Sequence, residues 1–172
     1  MSAWPKPLRL RELGAGALEL ALAPDCEQRA EAAGRLGLEG LSALTADVTV
    51  LPWLDGAELS GTFQALVVQV CGVTLDPFEA EVAGEFLVRV VPAGSPNAAA
   101  PESGAIEIEP DAPDPPDELA TDEIDVAGYV LEHLALALDP FPRKPGATFE
   151  YQPPTAEPSP FAALAALKAP KA

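Results

Sequence analysis

The stretch LSGTFQALVVQVCGVTLDPFEAEVAGEFLVRV, residues 59–90, decides the fold of this chain. In its second half, apolar and polar residues alternate from Phe78 to Val90, which predicts a strand with one face toward a core and one toward water. The charged residues expected on the water face are Glu79, Glu81, Glu85 and Arg89. Asp76-Pro77 is typical of a turn, and a connection this short requires the two halves to pair as antiparallel strands.

The first half of this stretch predicts the centre of the sheet. Residues 66–75 are apolar on both faces apart from two polar residues, as expected of a strand that is covered on both sides. A further alternating run at 44–50 predicts a third strand. Shorter signals predict strands at 18–22 and 148–151.

Two helices are predicted beside the sheet. Asp25, with Gln28 three residues later, can cap the first one. Asp122 or Asp125 can cap the second, which runs to about Leu138 and is apolar around most of its circumference, so we expect it to be buried over the sheet. The predicted fold class is therefore α+β: an antiparallel β-sheet or partly closed barrel with two packed helices and a short C-terminal helix.

The chain is strongly acidic, with 27 acidic residues, 10 basic residues and a formal net charge of −17. The imbalance is concentrated in residues 92–125, which hold ten acidic residues, no basic residue and seven of the 20 prolines. Proline and like-charge repulsion favour an extended segment. We therefore predict one domain over residues 1–172, with an acidic, proline-rich linker at 92–121 and a C-terminal tether plus helix at 152–172. The linker is either a solvated connection or an attractor for a basic partner.

The negative charge limits the partners that we expect. A polyanion repels phosphate backbones and anionic membranes, so DNA, membranes and a strong grip on RNA are disfavoured. No run approaches the roughly 18 apolar residues of a membrane helix. The basic residues near the start precede an apolar run of only six residues, whereas a secretory signal needs about 7–15. We expect a cytoplasmic protein with reduced thiols.

Patterns for catalysis or metal binding are missing from the sequence. Cys26 and Cys71 lie on different predicted elements with no cysteine or histidine beside them, whereas zinc takes about four such ligands. The single histidine, His133, lies within the second predicted helix without a nucleophile nearby. Gly14-Ala15-Gly16 lacks the lysine and the helix of a phosphate-binding loop. We expect no catalytic residue, no metal, no cofactor and no enzymatic activity.

Two groups of residues are candidates for binding macromolecules. The first is a C-terminal helix of about eight residues, too short to be stable alone, which must dock on its own domain or in a partner's groove. Its residues expected to contact a partner are Phe161, Leu164, Leu167 and Lys168. The second is the pair Arg143 and Lys144, which together with Trp4 could contact RNA. The alternative is that this pair lies in a solvated loop without a function.

Three segments together resemble one family. They are VVQVCGVTLDPF at 67–78, DEIDVAGYVLEHLALALDPFPRKPGA at 122–147 and SPFAALAALK at 159–168. In this order and spacing they resemble the YceD family, the large ribosomal RNA subunit accumulation proteins of bacteria and plastids. Arg143-Lys144-Pro145-Gly146 is similar to the alphaproteobacterial branch.

The resemblance implies a role in the accumulation or maturation of 23S ribosomal RNA, and a gene beside that of a small large-subunit ribosomal protein. It carries over no catalytic residue. Some members have further cysteines where this chain has Gly72-Val73-Thr74 and Asp139-Pro140-Phe141, so a metal role in those relatives does not carry over.

Charge and resemblance together lead us to expect a non-enzymatic factor in biogenesis of the large ribosomal subunit. Its expected partner is a ribosomal protein or an assembly or processing factor such as a nuclease, through which it reaches ribosomal RNA indirectly. The alternative is a protein that binds ribosomal RNA directly but weakly, through the Arg143-Lys144 loop.

Overall fold

The structure is a computed structural model, which describes residues 7–14, 16–98 and 114–149. Its elements in chain order are β1 (Leu8–Arg9), a 3-10 turn (Leu10–Glu12), β2 (Leu18–Leu22), α1 (Cys26–Leu36), β3 (Gly40–Trp53), β4 (Gly56–Val70), β5 (Pro77–Pro92), β6 (Asp117–Leu119), β7 (Glu123–Ile124) and α2 (Val126–Ala137). The α+β class is confirmed.

A five-stranded sheet in the order β2-β3-β4-β5-β6 forms the body of the molecule. The first four strands are antiparallel, with Leu59 opposite Val50 on β3 and Val88 on β5. Strand β6 instead runs parallel to β5 and pairs with it only at Val90–Pro92. The described strands leave β2 and β6 as the two edges of an open sheet, so they form no closed barrel.

One face of the sheet carries the core, as the alternation of the sequence predicts. Both helices pack against the sheet, α1 mainly on β3 and α2 mainly on β5 and β4. The buried residues on this face of the three long strands are Leu41, Leu44, Ala46, Val48, Val50, Ala57, Leu59, Phe63, Ala65, Val67, Phe86 and Val90. Burial at roughly 25 cal/mol per Å² of apolar surface is the main contribution to holding these layers together.

The start of α1 follows from its capping residues. Asp25 accepts a hydrogen bond from the Gln28 backbone N–H at 2.9 Å, and the Gln28 side chain accepts one from the Asp25 backbone N–H at 2.9 Å. The predicted capping box is confirmed. The helix ends at Gly37, whose φ of 67° places it in the left-handed region.

Two phenylalanines on the core face fit over two glycines on the opposite strand. Gly61 is opposite Phe86, and Phe63 is opposite Gly84. A Cβ at Gly84 would lie 2.6 Å from Cζ of Phe63, and one at Gly61 would lie 2.8 Å from Cε1 of Phe86. Phe86 also stacks on His133 of α2, with ring centroids 4.7 Å apart. The two glycines thus make the space for both rings on the core face of the sheet, where Phe86 also contacts α2.

Four sequence predictions need correction or lie wholly or partly outside the described residues. The apolar run 59–75 does not remain a strand to its end, because β4 stops at Val70 and residues 71–76 turn. Residues 148 and 149 form no strand. The predicted C-terminal helix lies outside the described residues, as do residues 99–113 of the predicted linker.

Substitution of Gly84 tests the ring fit. We expect Gly84→Ala to lower the free energy of unfolding by about 1–3 kcal/mol, because the new methyl group overlaps the Phe63 ring. Urea unfolding followed by circular dichroism measures this. The loss should shrink in a Phe63→Leu background, and Ala83→Ser on the opposite face should change stability by less than about 0.5 kcal/mol. Unchanged stability of Gly84→Ala would contradict the proposed fit.

Candidate functional site

The structure places only part of the predicted binding residues. Arg143 and Lys144 are described and lie in the loop that follows α2. Trp4 and the helix residues Phe161, Leu164, Leu167 and Lys168 lie outside the described residues. Their roles therefore stay predictions.

The loop after α2 is folded against the turn between β4 and β5. The Gly72 backbone N–H donates to the Pro142 carbonyl at 2.9 Å, which joins the two segments. The Asp139 side chain accepts a hydrogen bond from the Phe141 backbone N–H at 2.8 Å. The Gln69 side-chain amide donates a hydrogen bond to the Asp139 backbone carbonyl at 3.4 Å. These contacts fix the segment that precedes Arg143 and Lys144 against the end of the sheet.

The turn itself is tight and carries a backbone outlier. Cys71 donates its N–H to the Asp76 carbonyl at 2.9 Å, and Leu75 donates to the Cys71 carbonyl at 2.9 Å. Leu75 has a φ of 62°, which is unfavourable for a residue with a Cβ, and its side chain is 75% exposed. The turn thus leaves a large apolar side chain exposed at the surface.

The Cys71 sulfur lies under this turn and is fully shielded from solvent. Its Sγ accepts hydrogen bonds from the backbone N–H groups of Val73 at 3.4 Å and of Thr74 at 3.5 Å. The Thr74 hydroxyl and the backbone of Lys144 also stabilise the thiolate, and together these donors lower the pKa of Cys71 to about 6 against the opposing effect of burial. The sulfur therefore helps to hold the turn against the loop.

Most cations of the described residues already have a partner within the protein. Lys144 Nζ lies 3.5 Å from Oδ2 of Asp76. The Arg29 guanidinium donates to two backbone carbonyls. The other ion pairs are Arg9 with Glu123 at 3.4 Å, Arg11 with Asp122 at 3.6 Å, and Arg89 with Glu58 at 2.8 Å. Among the described cations only Arg35 and Arg143 lack a partner, so the predicted RNA-contact pair offers one unneutralised charge.

Most described acids of the segment 92–125 are tied to the fold. Asp125 caps α2 by accepting from the Gly128 N–H at 2.9 Å. Glu118 accepts from the Gly94 N–H at 2.7 Å, and Asp117 accepts from the Tyr129 hydroxyl at 3.1 Å. Burial and this acidic neighbour raise the pKa of Tyr129. These acids thus act as structural acceptors more than as a free attractor for a partner.

Three carboxylates without a partner among the described residues lie on the face of the sheet opposite the helices. Asp47 and Glu85 are exposed and lie on the two strands that flank Thr62, each opposite that residue. Glu81 is exposed on β5, four residues before Glu85. None of these three has an ion pair or a side-chain hydrogen bond within the part of the chain that the structure describes. The alternation of the sequence predicted that Glu81 and Glu85 face water, but not that they are left unpaired.

Arg89 is a cation on the same face of the sheet, but its charge is not available to an acidic group of another molecule. It bonds to Glu58 directly across the strand pair and lies 5.1 Å from the ring centroid of Trp53. The two residues are 31 positions apart in sequence and meet only through the register of β4 and β5, so the sequence could not reveal their pairing.

His133 has a structural environment. Its Nδ1 lies 2.8 Å from the Tyr129 carbonyl of the preceding helical turn, and its ring stacks on Phe86. Within residues 7–14, 16–98 and 114–149, no group of three or more His, Cys, Asp or Glu side chains is arranged to hold a metal ion. Neither helix of the described ranges has the length and apolar character needed to span a bilayer.

Comparison with known families places the chain. A family model described as "Large ribosomal RNA subunit accumulation protein YceD" matches residues 59–168. The chain belongs to this family. The YceD match begins within β4 and covers the Cys71 turn, α2 and the Arg143-Lys144 loop. No curated protein and no solved structure matches the chain.

Membership of the YceD family implies a role in the accumulation of large-subunit ribosomal RNA. The resemblance stated from the sequence is confirmed at this level. The assignment to the alphaproteobacterial branch stays a prediction.

The Cys71 thiolate predicts a specific pH dependence of stability. A thiol with a folded pKa of about 6 and an unfolded pKa of about 8.5 stabilises the fold as pH rises through this interval and loses that contribution as pH falls toward 6. The free energy of unfolding of the wild type should therefore rise between pH 6 and 9 relative to Cys71→Ser. Urea unfolding at several pH values under reducing conditions measures the difference.

Cys26 supplies the control, because its side chain is exposed at the start of α1. Cys26→Ser should follow the wild-type pH dependence. Parallel curves for the wild type and Cys71→Ser would show that folding does not lower the pKa of the Cys71 thiol.

Proposed function

We propose that this protein supports 23S ribosomal RNA accumulation and biogenesis of the large ribosomal subunit without catalysing a reaction, by binding a basic protein in the cytoplasm. The partner is a ribosomal protein or an assembly or processing factor. The family membership supports the ribosomal role, and the distribution of charge supports a protein as the partner.

The observation that carries the proposal is the asymmetry between cations and carboxylates. The described residues include 21 acidic and 7 basic side chains, and most of the basic ones are engaged within the molecule. An RNA phosphate would meet an electronegative surface with few free cations, whereas lysines and arginines of a partner would be attracted. Charge complementarity of this kind raises the association rate and selects the partner.

The C-terminal residues Phe161, Leu164, Leu167 and Lys168 belong to the same proposal. Phe161, Leu164 and Leu167 would add an apolar contact, because charge attraction alone gives modest affinity in physiological salt.

Deletion of the gene tests the role in the cell. We expect a lower ratio of 23S to 16S ribosomal RNA and a persistent deficit of large subunits in sucrose gradients, both restored by the wild-type gene. A Cys26→Ser gene serves as a matched control for complementation, because this exposed residue has no part in the proposal. Normal ribosomal RNA and normal gradients under several growth conditions would refute the proposed function.

Direct but weak RNA binding remains the second candidate, supported by one observation. Arg143 is exposed and unpaired among the described residues, and the neighbouring Phe141 is 79% exposed. A cation beside an exposed ring can contact a base and its phosphate.

Charge reversal in the loop separates the two candidates. Under the protein-partner proposal, Arg143→Glu with Lys144→Glu should leave growth and 23S ribosomal RNA levels unchanged, and the purified wild type should give little gel shift with naked 23S ribosomal RNA. A clear wild-type shift that the double variant abolishes would favour direct RNA binding. Arg35→Glu is the control for net charge when it is compared with the single variant Arg143→Glu, because each reverses the charge of one described cation without a partner.

A further inference from the structure

The outer edge of β5 is the longest strand edge that the described residues leave open. Strand β5 spans Pro77–Pro92 and pairs with β4 along its inner edge from Pro77 to Val90. On its outer edge, β6 pairs only with Val90–Pro92. The outward backbone groups from Pro77 to Phe86 therefore have no strand beside them in the described ranges, and such an edge is a template for another strand.

The side chains along this edge have a definite chemistry. On the helix-free face, the alternate positions of β5 carry Glu79, Glu81, Ala83, Glu85 and Leu87 in sequence. Successive members of this row are about 7 Å apart, because a strand rises about 3.4 Å per residue. Glu79 accepts a hydrogen bond from Ser42, whereas Glu81 and Glu85 are exposed and unpaired among the described residues. The row thus combines free carboxylates with an alanine and a leucine that is 57% exposed.

The charge row selects among possible strands. A second copy of this chain, paired through the same edge, would place its glutamates against these glutamates. The segment 102–111 of this chain is also acidic and would place further carboxylates beside them. Like charges on neighbouring strands are destabilising, whereas opposite charges stabilise the pair. A strand with lysine or arginine at every second position matches both the spacing and the sign.

We propose that the outer edge of β5 at Pro77–Phe86 binds an extended, lysine- or arginine-rich segment of a partner protein as an added strand. The partner's backbone pairs with the free edge of β5, and its alternate basic side chains lie over the helix-free face against Glu81 and Glu85. This inference rests on the proposed function and adds to it the surface and the conformation of the bound segment.

The edge strand β2 at the other side of the sheet is a natural comparison. It is only five residues long, Leu18–Leu22, and carries a single acid, Glu19. It offers an open edge without the row of carboxylates, so it should not bind a basic strand well.

Two labelled synthetic peptides provide the probes. One alternates lysine and valine, and the other has the same composition with the lysines and valines in two blocks. We expect the full chain to bind the alternating peptide more tightly in fluorescence anisotropy, with an affinity that falls as salt rises. Hydrogen exchange should show new protection of outward amides in residues 78–86 and none in β2. Protection confined to β2, or equal binding of both peptides, would overturn the inference.

Glu81→Lys with Glu85→Lys is the decisive variant, and Glu19→Lys with Glu39→Lys is its control of equal net charge. Glu19 and Glu39 are exposed and have no ion pair among the described residues. The first pair should weaken binding of the alternating peptide about tenfold or more and the second pair much less. Circular dichroism confirms that both variants are folded. Equal losses in the two variants would mean attraction by net charge alone and would overturn the inference.

The other strands that could occupy this edge, a second copy of the chain or another segment of the same chain, predict different experimental results. Pairing of two copies through β5 would appear as a dimer in analytical ultracentrifugation. Occupation by the chain's own residues would appear as tighter peptide binding after deletion of residues 99–113 or after truncation at Pro158. Either result would overturn the inference, whereas a monomer with unchanged binding after both deletions supports it.

Complementation separates this inference from the proposed function. In the gene-deletion strain, Glu81→Lys with Glu85→Lys should fail to restore the 23S ribosomal RNA ratio, and the control pair should restore it. Full restoration by both variants would overturn the edge assignment and leave the proposed function intact. Absence of any deficit in the deletion strain would refute the proposed function itself.

Discussion

Burial of one face of the β3–β4–β5 sheet under the two helices is the constraint on which the rest of the structure depends. Because side chains alternate along a strand, filling that face with Leu59, Phe63, Phe86 and their neighbours directs the alternate residues of every long strand to the other face. The fit of the two rings over Gly61 and Gly84 fixes the register of the pairing. The positions of the free carboxylates are a consequence of this packing.

Charge then decides what the exposed surfaces can do. The fold uses most of its described cations internally, and it also uses the acids at 117–125 as caps, hydrogen-bond acceptors and ion-pair partners. Three carboxylates that the fold does not use, those of Asp47, Glu81 and Glu85, lie on the face of the sheet opposite the helices. This arrangement leaves a protein that repels phosphate and attracts basic polypeptides, which is compatible with a ribosomal role exercised through a protein.

The sequence predicted the features that depend on local periodicity and capping. The alternation at 78–90, the central position of β4 and the capping box at Asp25 are all present in the structure. Features that depend on long-range register were not accessible: the parallel pairing of β6, the ion pair of Arg89 with Glu58, and the docking of the Pro142 loop on the Cys71 turn. The apolar run to Leu75 was misleading as a strand signal. The strand ends at Val70 although the residues that follow are still apolar, because the chain turns there over the buried Cys71 thiol and Leu75 adopts a positive φ.

The central claim is that carboxylates of this chain contact a basic protein and not ribosomal RNA. Carbodiimide coupling in fresh lysate tests it most directly, since it joins a carboxylate to a lysine amine only where the two are in contact. We predict cross-links from this chain to lysines of a large-subunit ribosomal protein or assembly factor, with a yield that survives ribonuclease treatment. A chain that couples to no such protein and is recovered only with 23S ribosomal RNA, in a ribonuclease-sensitive complex, would contradict the account.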